Sequence, residues 1–161
     1  MGQRRKAREC ALQIMFQLEF NAGDPKALVK VYWEHQKASP EVRKYGTWIV
    51  EEIIAHGEDI DRAIQSASKN WRLSRMAVID RNILRIAVCE LLYEKTLVPA
   101  IIMNEAIEVA KRYSGEESAV FVNGVLDAVG RLLKEKAGKP GTAAGPDKEG
   151  EHEQKRGQRG T

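Results

Sequence analysis

From Arg4 to Lys136 apolar residues recur at three- and four-residue intervals, and no stretch alternates apolar with polar at every second position. A chain patterned this way buries stripes, helix on helix, and offers no strand to pair. The predicted class is therefore all-α, with about seven helices. The first spans about 4–20 and carries Ala7, Ala11, Ile14 and Leu18 on one face. Asp24-Pro25 and Ser39-Pro40 each place a capping side chain before a proline suited to a first helical turn. They predict helices to about Lys37 and, with Val42, Tyr45, Ile49 and Ile53 in register, to Gly57 as terminator. A shorter helix follows over about 58–68, then a connector around Trp71, with Ser74 as the expected cap of the next helix. That helix, about 75–93, is the most apolar (Ile79, Ile83, Ile86, Ala87) and is expected at the centre. Val98-Pro99 opens a helix to Tyr113, which Ser114-Gly115 breaks. The last, about 117–136, buries Val122, Val125, Leu126, Val129, Leu132 and Leu133, with Asn123-Gly124 inside the stripe. Gly124 is expected to allow close helix packing, and Asn123 to need a buried hydrogen-bond partner.

The chain has 161 residues, room for one ordinary domain. We place that domain at 1–137 and read 138–161 as a disordered tail, rich in Gly, Pro and charge with no large apolar residue. Charge interrupts every apolar stretch, so no membrane span is expected. The N-terminus does not resemble a signal peptide, and Cys10 and Cys89 read as reduced, packed thiols, so a cytoplasmic protein is expected. Net charge is +3, but residues 1–8 hold four cations and no acid, which leaves the domain body slightly acidic. A basic arm on such a body points to a local contact with a polyanion.

Catalytic and metal motifs are missing. There is no phosphate-cradling glycine loop, His35, His56 and His152 are scattered, and no Cys/His cluster has ligand spacing. No catalytic residue, metal or cofactor is predicted. Surface features remain. Arg4, Arg5, Lys6 and Arg8 crowd one helix turn near the positive end of its dipole, an arrangement that an RNA phosphate chain would relieve. Leu12, Phe16 and Phe20 form a second stripe on the same helix. It either packs on a second side of the fold or docks a partner with Phe16 as anchor. Asp80, Arg81, Arg85, Glu90 and Glu94 are expected on the polar side of the central helix, with exposed pairing of Asp80 to Arg81 and Arg85. Trp71 either caps the core or offers a stacking face to a base, and its pattern favours the cap.

Three stretches taken together resemble the NusB family. They are Arg4-Arg5-Lys6-Ala7-Arg8-Glu9-Cys10-Ala11-Leu12-Gln13; Asp80-Arg81-Asn82-Ile83-Leu84-Arg85-Ile86-Ala87 with Glu90-Leu91; and Asn104-Glu105-Ala106-Ile107-Glu108-Val109-Ala110-Lys111 with Phe121-Val122-Asn123-Gly124-Val125-Leu126-Asp127. The resemblance covers about 4–135. It implies one helical domain of two subbundles, no catalysis, and transcription antitermination. The implied action is binding of single-stranded boxA RNA in rRNA leaders with the ribosomal protein NusE. Assembly with RNA polymerase and other Nus factors would then suppress premature, Rho-dependent termination. By position it implies RNA contacts at Arg4, Arg5, Lys6 and Arg8, at Glu117, Ser118 and Phe121, and at Trp71 and Arg72. Val120 stands where the family often has a basic residue. NusE contacts are implied at Phe16 and Asp80, with Leu12, Ile83 and Leu84 beside them. On this reading Arg8→Ala weakens boxA binding and flattens its salt dependence, while Asp80→Lys removes NusE binding and leaves the fold intact. The same domain precedes a methyltransferase in rRNA cytosine-5 methyltransferases, but no such catalytic domain is present in this sequence. The alternative is a protein-only helical adaptor working through the first-helix stripe. The free protein is expected as a monomer or as a homodimer paired through that stripe.

Overall fold

Local signals set most helix starts. The computed structural model describes residues 2–138, and the predicted tail lies outside the described residues beyond Gly138. Seven α-helices and one 3₁₀ turn account for the described residues, with no strand among them. They are α1 (Gly2–Phe20), α2 (Pro25–His35), α3 (Pro40–Ala55), α4 (Gly57–Ala67), the 3₁₀ turn (Leu73–Arg75), α5 (Val78–Tyr93), α6 (Pro99–Tyr113) and α7 (Glu116–Gly138). The Asp24 carboxylate accepts the Lys26 N–H at 3.3 Å, and the Ser39 hydroxyl accepts the Val42 N–H at 3.3 Å. Both caps thus act as their sequences predict. Gly115 turns the chain between α6 and α7 with φ of 118°, a conformation that costs glycine alone nothing.

Two signals were misleading. Gly57 does not terminate α3; it is the first residue of α4, and His56 serves as the joint between the helices. Ser74 does not cap α5. It lies in the 3₁₀ turn, and α5 begins at Val78 behind Ala77, with no side-chain cap.

α1 packs against α3 and α5, and α5 in turn contacts α3, α4 and α6. The core they enclose includes Ile14, Ile49, Leu84, Val88 and Ile102, with Cys10 and Cys89 buried and free. One contact is closer than the rest. A Cβ added at Gly46 of α3 would stand 3.1 Å from the Trp33 ring and 3.3 Å from the Ala7 carbonyl oxygen. Gly124, by contrast, meets nothing within 4 Å, and Asn123 is exposed, so neither has the packing role predicted for it. Leu132 is exposed as well, not buried. Residues through Gly130 form one compact unit and those from Arg131 another.

Candidate nucleic-acid and protein interface

The first turns of α1 are held by acids from distant parts of the chain. Arg8 is only 3% exposed. Its guanidinium donates to both Glu90 oxygens, from Nε at 2.7 Å and from Nη2 at 2.8 Å, and the Tyr45 hydroxyl donates to Glu90 at 2.6 Å. Burial pulls the Arg8 guanidinium down, but hydrogen bonding to Glu90 and its charge outweigh that, so its pKa is raised. Burial, then the Glu90 charge, pushes the Tyr45 hydroxyl above its ordinary value. Arg5 forms a two-pronged pair with Glu105 at 2.8 and 3.1 Å. The hydrogen bond from Arg5, aided by the charges of Arg5 and Arg8, holds the Glu105 carboxyl below the usual carboxylate range against the effect of its burial. Arg4 lies over the Tyr45 ring, 4.4 Å from its centroid, and reaches Glu94 at 3.5 Å. Glu94 is itself fixed by Thr96, whose hydroxyl donates at 2.6 Å.

The crowded basic turn is therefore relieved within the chain. Arg8 is a buried structural cation and not a surface phosphate ligand, which corrects its assignment to RNA. Glu90 moves too: predicted on the polar side of α5, it is 1% exposed. Lys6 is exposed, Arg5 is largely so, and Arg4 is partly so. Those three cations are what the arm presents outward.

A second group forms where the connector meets the start of α7. The Gln65 side-chain amide donates to the Ser68 and Trp71 carbonyls, each at 3.0 Å, and its oxygen accepts the Leu73 N–H at 2.9 Å. This clamps the connector and leaves Trp71 57% exposed, so the ring does not cap the core. The Trp71 and Phe121 rings meet edge to face, with centroids 6.4 Å apart. Arg72 and Glu117 are exposed, and Ser118 donates to Asp80 at 3.2 Å while it bonds Ser114 at 2.7 Å. Folding thus brings Trp71 beside Phe121, and Ser118 to Asp80.

The expected partner edge shrinks. Leu12, Ile83 and Leu84 are 3%, 2% and 0% exposed, so they are core and not contact residues. Phe16 and Phe20 remain outside, with ring centroids 5.1 Å apart. Asp80 is buried behind Ser118 and does not pair with Arg81 or Arg85, which instead reach Glu19 at 3.1 and 3.0 Å. A lysine at Asp80 would bury a cation at that junction, so Asp80→Lys tests the fold as much as the surface.

Three comparisons bear on this arrangement. The NusB family model matches residues 5–131. The chain belongs to the NusB family. It is 42% identical to the transcription antitermination protein NusB of Sorangium cellulosum over 133 residues, 83% of this chain and 95% of that one. It is 45% identical to that of Bdellovibrio bacteriovorus over 131 residues, 80% and 95% of the two chains. Among solved structures it resembles T. maritima NusB with TM-score 0.72 at 34% identity, covering 80% of this chain and 90% of that one. It also resembles a chain in a complex of the antitermination factors NusB and NusE with dsRNA, with TM-score 0.75 at 27% identity over 82% and 98%. Membership in the NusB family places the chain among transcription antitermination factors. Its Cys89 thiol is pushed up to about 12 by burial, then by Glu90 and Glu52, and stays protonated at neutral pH. Among the described residues no His/Cys/Asp/Glu group is placed to hold a metal, and no helix is long and apolar enough to cross a membrane.

The residues that sequence reasoning missed are Tyr45, Glu94, Glu105 and the buried role of Glu90. A signal existed. Glu90 falls on the same stripe as Ile83, Ile86 and Ala87, and Glu105 on that of Ile102, Ala106 and Val109. A carboxylate on a buried stripe requires a cation, and the arm supplies it.

Proposed function

We propose that this NusB-family protein binds single-stranded boxA RNA of rRNA leader transcripts together with NusE in the cytoplasm. With RNA polymerase and other Nus factors it thereby suppresses premature, Rho-dependent termination. The observation that carries the RNA reading is the exposed Trp71 ring, set edge to face against the half-buried Phe121, with the exposed Arg72 next to it in the chain. Aromatic faces interleaved with cations suit unstacked bases and a phosphate chain. The exposed cations of the α1 arm, Arg4, Arg5 and Lys6, supply the second contact, while Glu117 and Ser118 flank Phe121 at the α7 start. NusE docks on the Phe16–Phe20 face, with Asp80 shaping the neighbouring junction through Ser118. A structural relative in a complex of NusB and NusE with dsRNA supports NusE and RNA as the two classes of partner.

The test is fluorescence anisotropy of labelled boxA RNA and a scrambled control, titrated with the protein alone and with NusE at two salt concentrations. The reading expects preference for boxA that tightens with NusE. Equal, weak and strongly salt-dependent binding to both RNAs would reduce the arm to an electrostatic patch and leave a protein-only adaptor.

A further inference from the structure

Beyond Trp71 the connector opens into a groove lined by Gln65, Arg72, Leu73, Ser74, Arg81 and Arg85. Three guanidinium groups line it and no carboxylate does. Arg81 and Arg85 are neutralised by Glu19 and Asp61, acids outside the lining: Arg85 pairs with Asp61 at 2.8 Å and Glu19 at 3.0 Å, and Arg81 with Glu19 at 3.1 Å. Arg81 Nη1 also donates to the Leu73 carbonyl at 3.3 Å, which leaves its buried Nε–H without a partner. Arg72 has no ion pair among the described residues, and neither do Lys69 and Arg75, exposed on the same connector. Unpaired buried donors are costly and like cations repel, so the groove is short of an anion.

We infer that this groove seats a phosphodiester of the bound RNA, next to the base stacked on Trp71. The inference rests on the RNA reading above and extends it from Trp71 and Arg72 to the groove behind them and to Lys69 and Arg75, which that reading did not use. Arg72 contributes the free fork and Lys69 and Arg75 the positive approach, while the ion-paired Arg81 and Arg85 form the wall of the groove. Guanidinium forks match phosphate oxygens in geometry, and the exposed indole beside them favours a nucleic acid over an acidic peptide.

Ser74 gives a clean probe because it is exposed and its side chain makes no hydrogen bond among the described residues. Ser74→Asp places an anion in the groove without breaking an ion pair; Lys30→Gln, on α2, changes net charge equally elsewhere. Both are titrated with single-stranded boxA RNA across salt concentrations, alone and with NusE. Ser74→Asp is expected to weaken RNA binding about tenfold and to lower the salt slope by about 0.7, the share of one phosphate on a single strand. Ser74→Lys is expected to tighten binding, and Lys30→Gln to behave as wild type. If wild type binds RNA and Ser74→Asp matches Lys30→Gln, the groove inference is wrong and the RNA reading stands. Loss of NusE binding by Ser74→Asp with RNA affinity unchanged would assign the groove to a protein and overturn the inference. Wild type that binds no RNA under any condition would remove the RNA reading and the groove with it.

Discussion

Arg8 and Glu90 show how much one buried pair carries. Each is nearly inaccessible, and each would be untenable alone, because a charge without a partner in the interior costs several kcal/mol. Arg8→Ala leaves Glu90 with the Tyr45 hydroxyl alone among its hydrogen-bond donors. It is expected to lower stability by about 3–5 kcal/mol, seen as a large fall in Tm. An unchanged Tm with weakened RNA binding would return Arg8 to the surface role that its position in the arm implies. The outer pair joins a half-exposed Arg5 to a buried Glu105 and responds to pH. The Glu105 carboxyl is lowered from 4.5 by Arg5, so the stability it gives is full above that value and is lost as pH falls through the lower folded pKa. The Tm gap between wild type and Glu105→Gln should therefore be widest near neutral pH and close in acid. A gap that grew on acidification would contradict the pairing.

Two glycines mark opposite situations, one a close helix contact and the other an open helix face. α3 approaches α1 and α2 through Gly46, where even a Cβ is tight against Trp33 and Ala7. Gly46→Val is expected to destabilise by about 1–3 kcal/mol through overpacking. Gly124 stands on the open side of α7, where nothing would meet a side chain. Gly124→Ala is expected to stabilise by about 0.5–1 kcal/mol through helix propensity alone. Denaturant midpoints of the two variants should shift in opposite directions; a shift in the same direction would mean that one of the two packings is misread. In the sequence each glycine lies within a helical segment. The spacing of a stripe tells which face is apolar, not how near the next helix comes.

Across the molecule the two proposed contacts use different residues, α1's last turns for NusE and, for RNA, the connector and the start of α7 with the cations at the opposite end of α1. They should separate on mutation. Phe16→Glu is expected to abolish NusE binding while RNA binding by the protein alone and Tm are kept, because the ring is already exposed. Trp71→Ala is expected to weaken RNA binding by about 1–3 kcal/mol and to leave NusE binding unchanged. Pull-down of NusE and RNA anisotropy on the same two proteins check this; loss of both ligands in either variant would mean a single shared surface. The helical class, the caps at Asp24 and Ser39, the break at Gly115, the central place of α5 and the family motifs were legible along the chain, because they depend on periodicity and on near neighbours. Helix docking settled which cations of the arm reach solvent, that Leu12, Ile83 and Leu84 are core, and that Trp71 stands outside beside Phe121. Arg8 and Glu90 are 82 residues apart, and Arg5 and Glu105 are 100 apart. Pairings at that distance are fixed by how helices dock, and a charge reads the same in sequence whether it faces water or a buried partner.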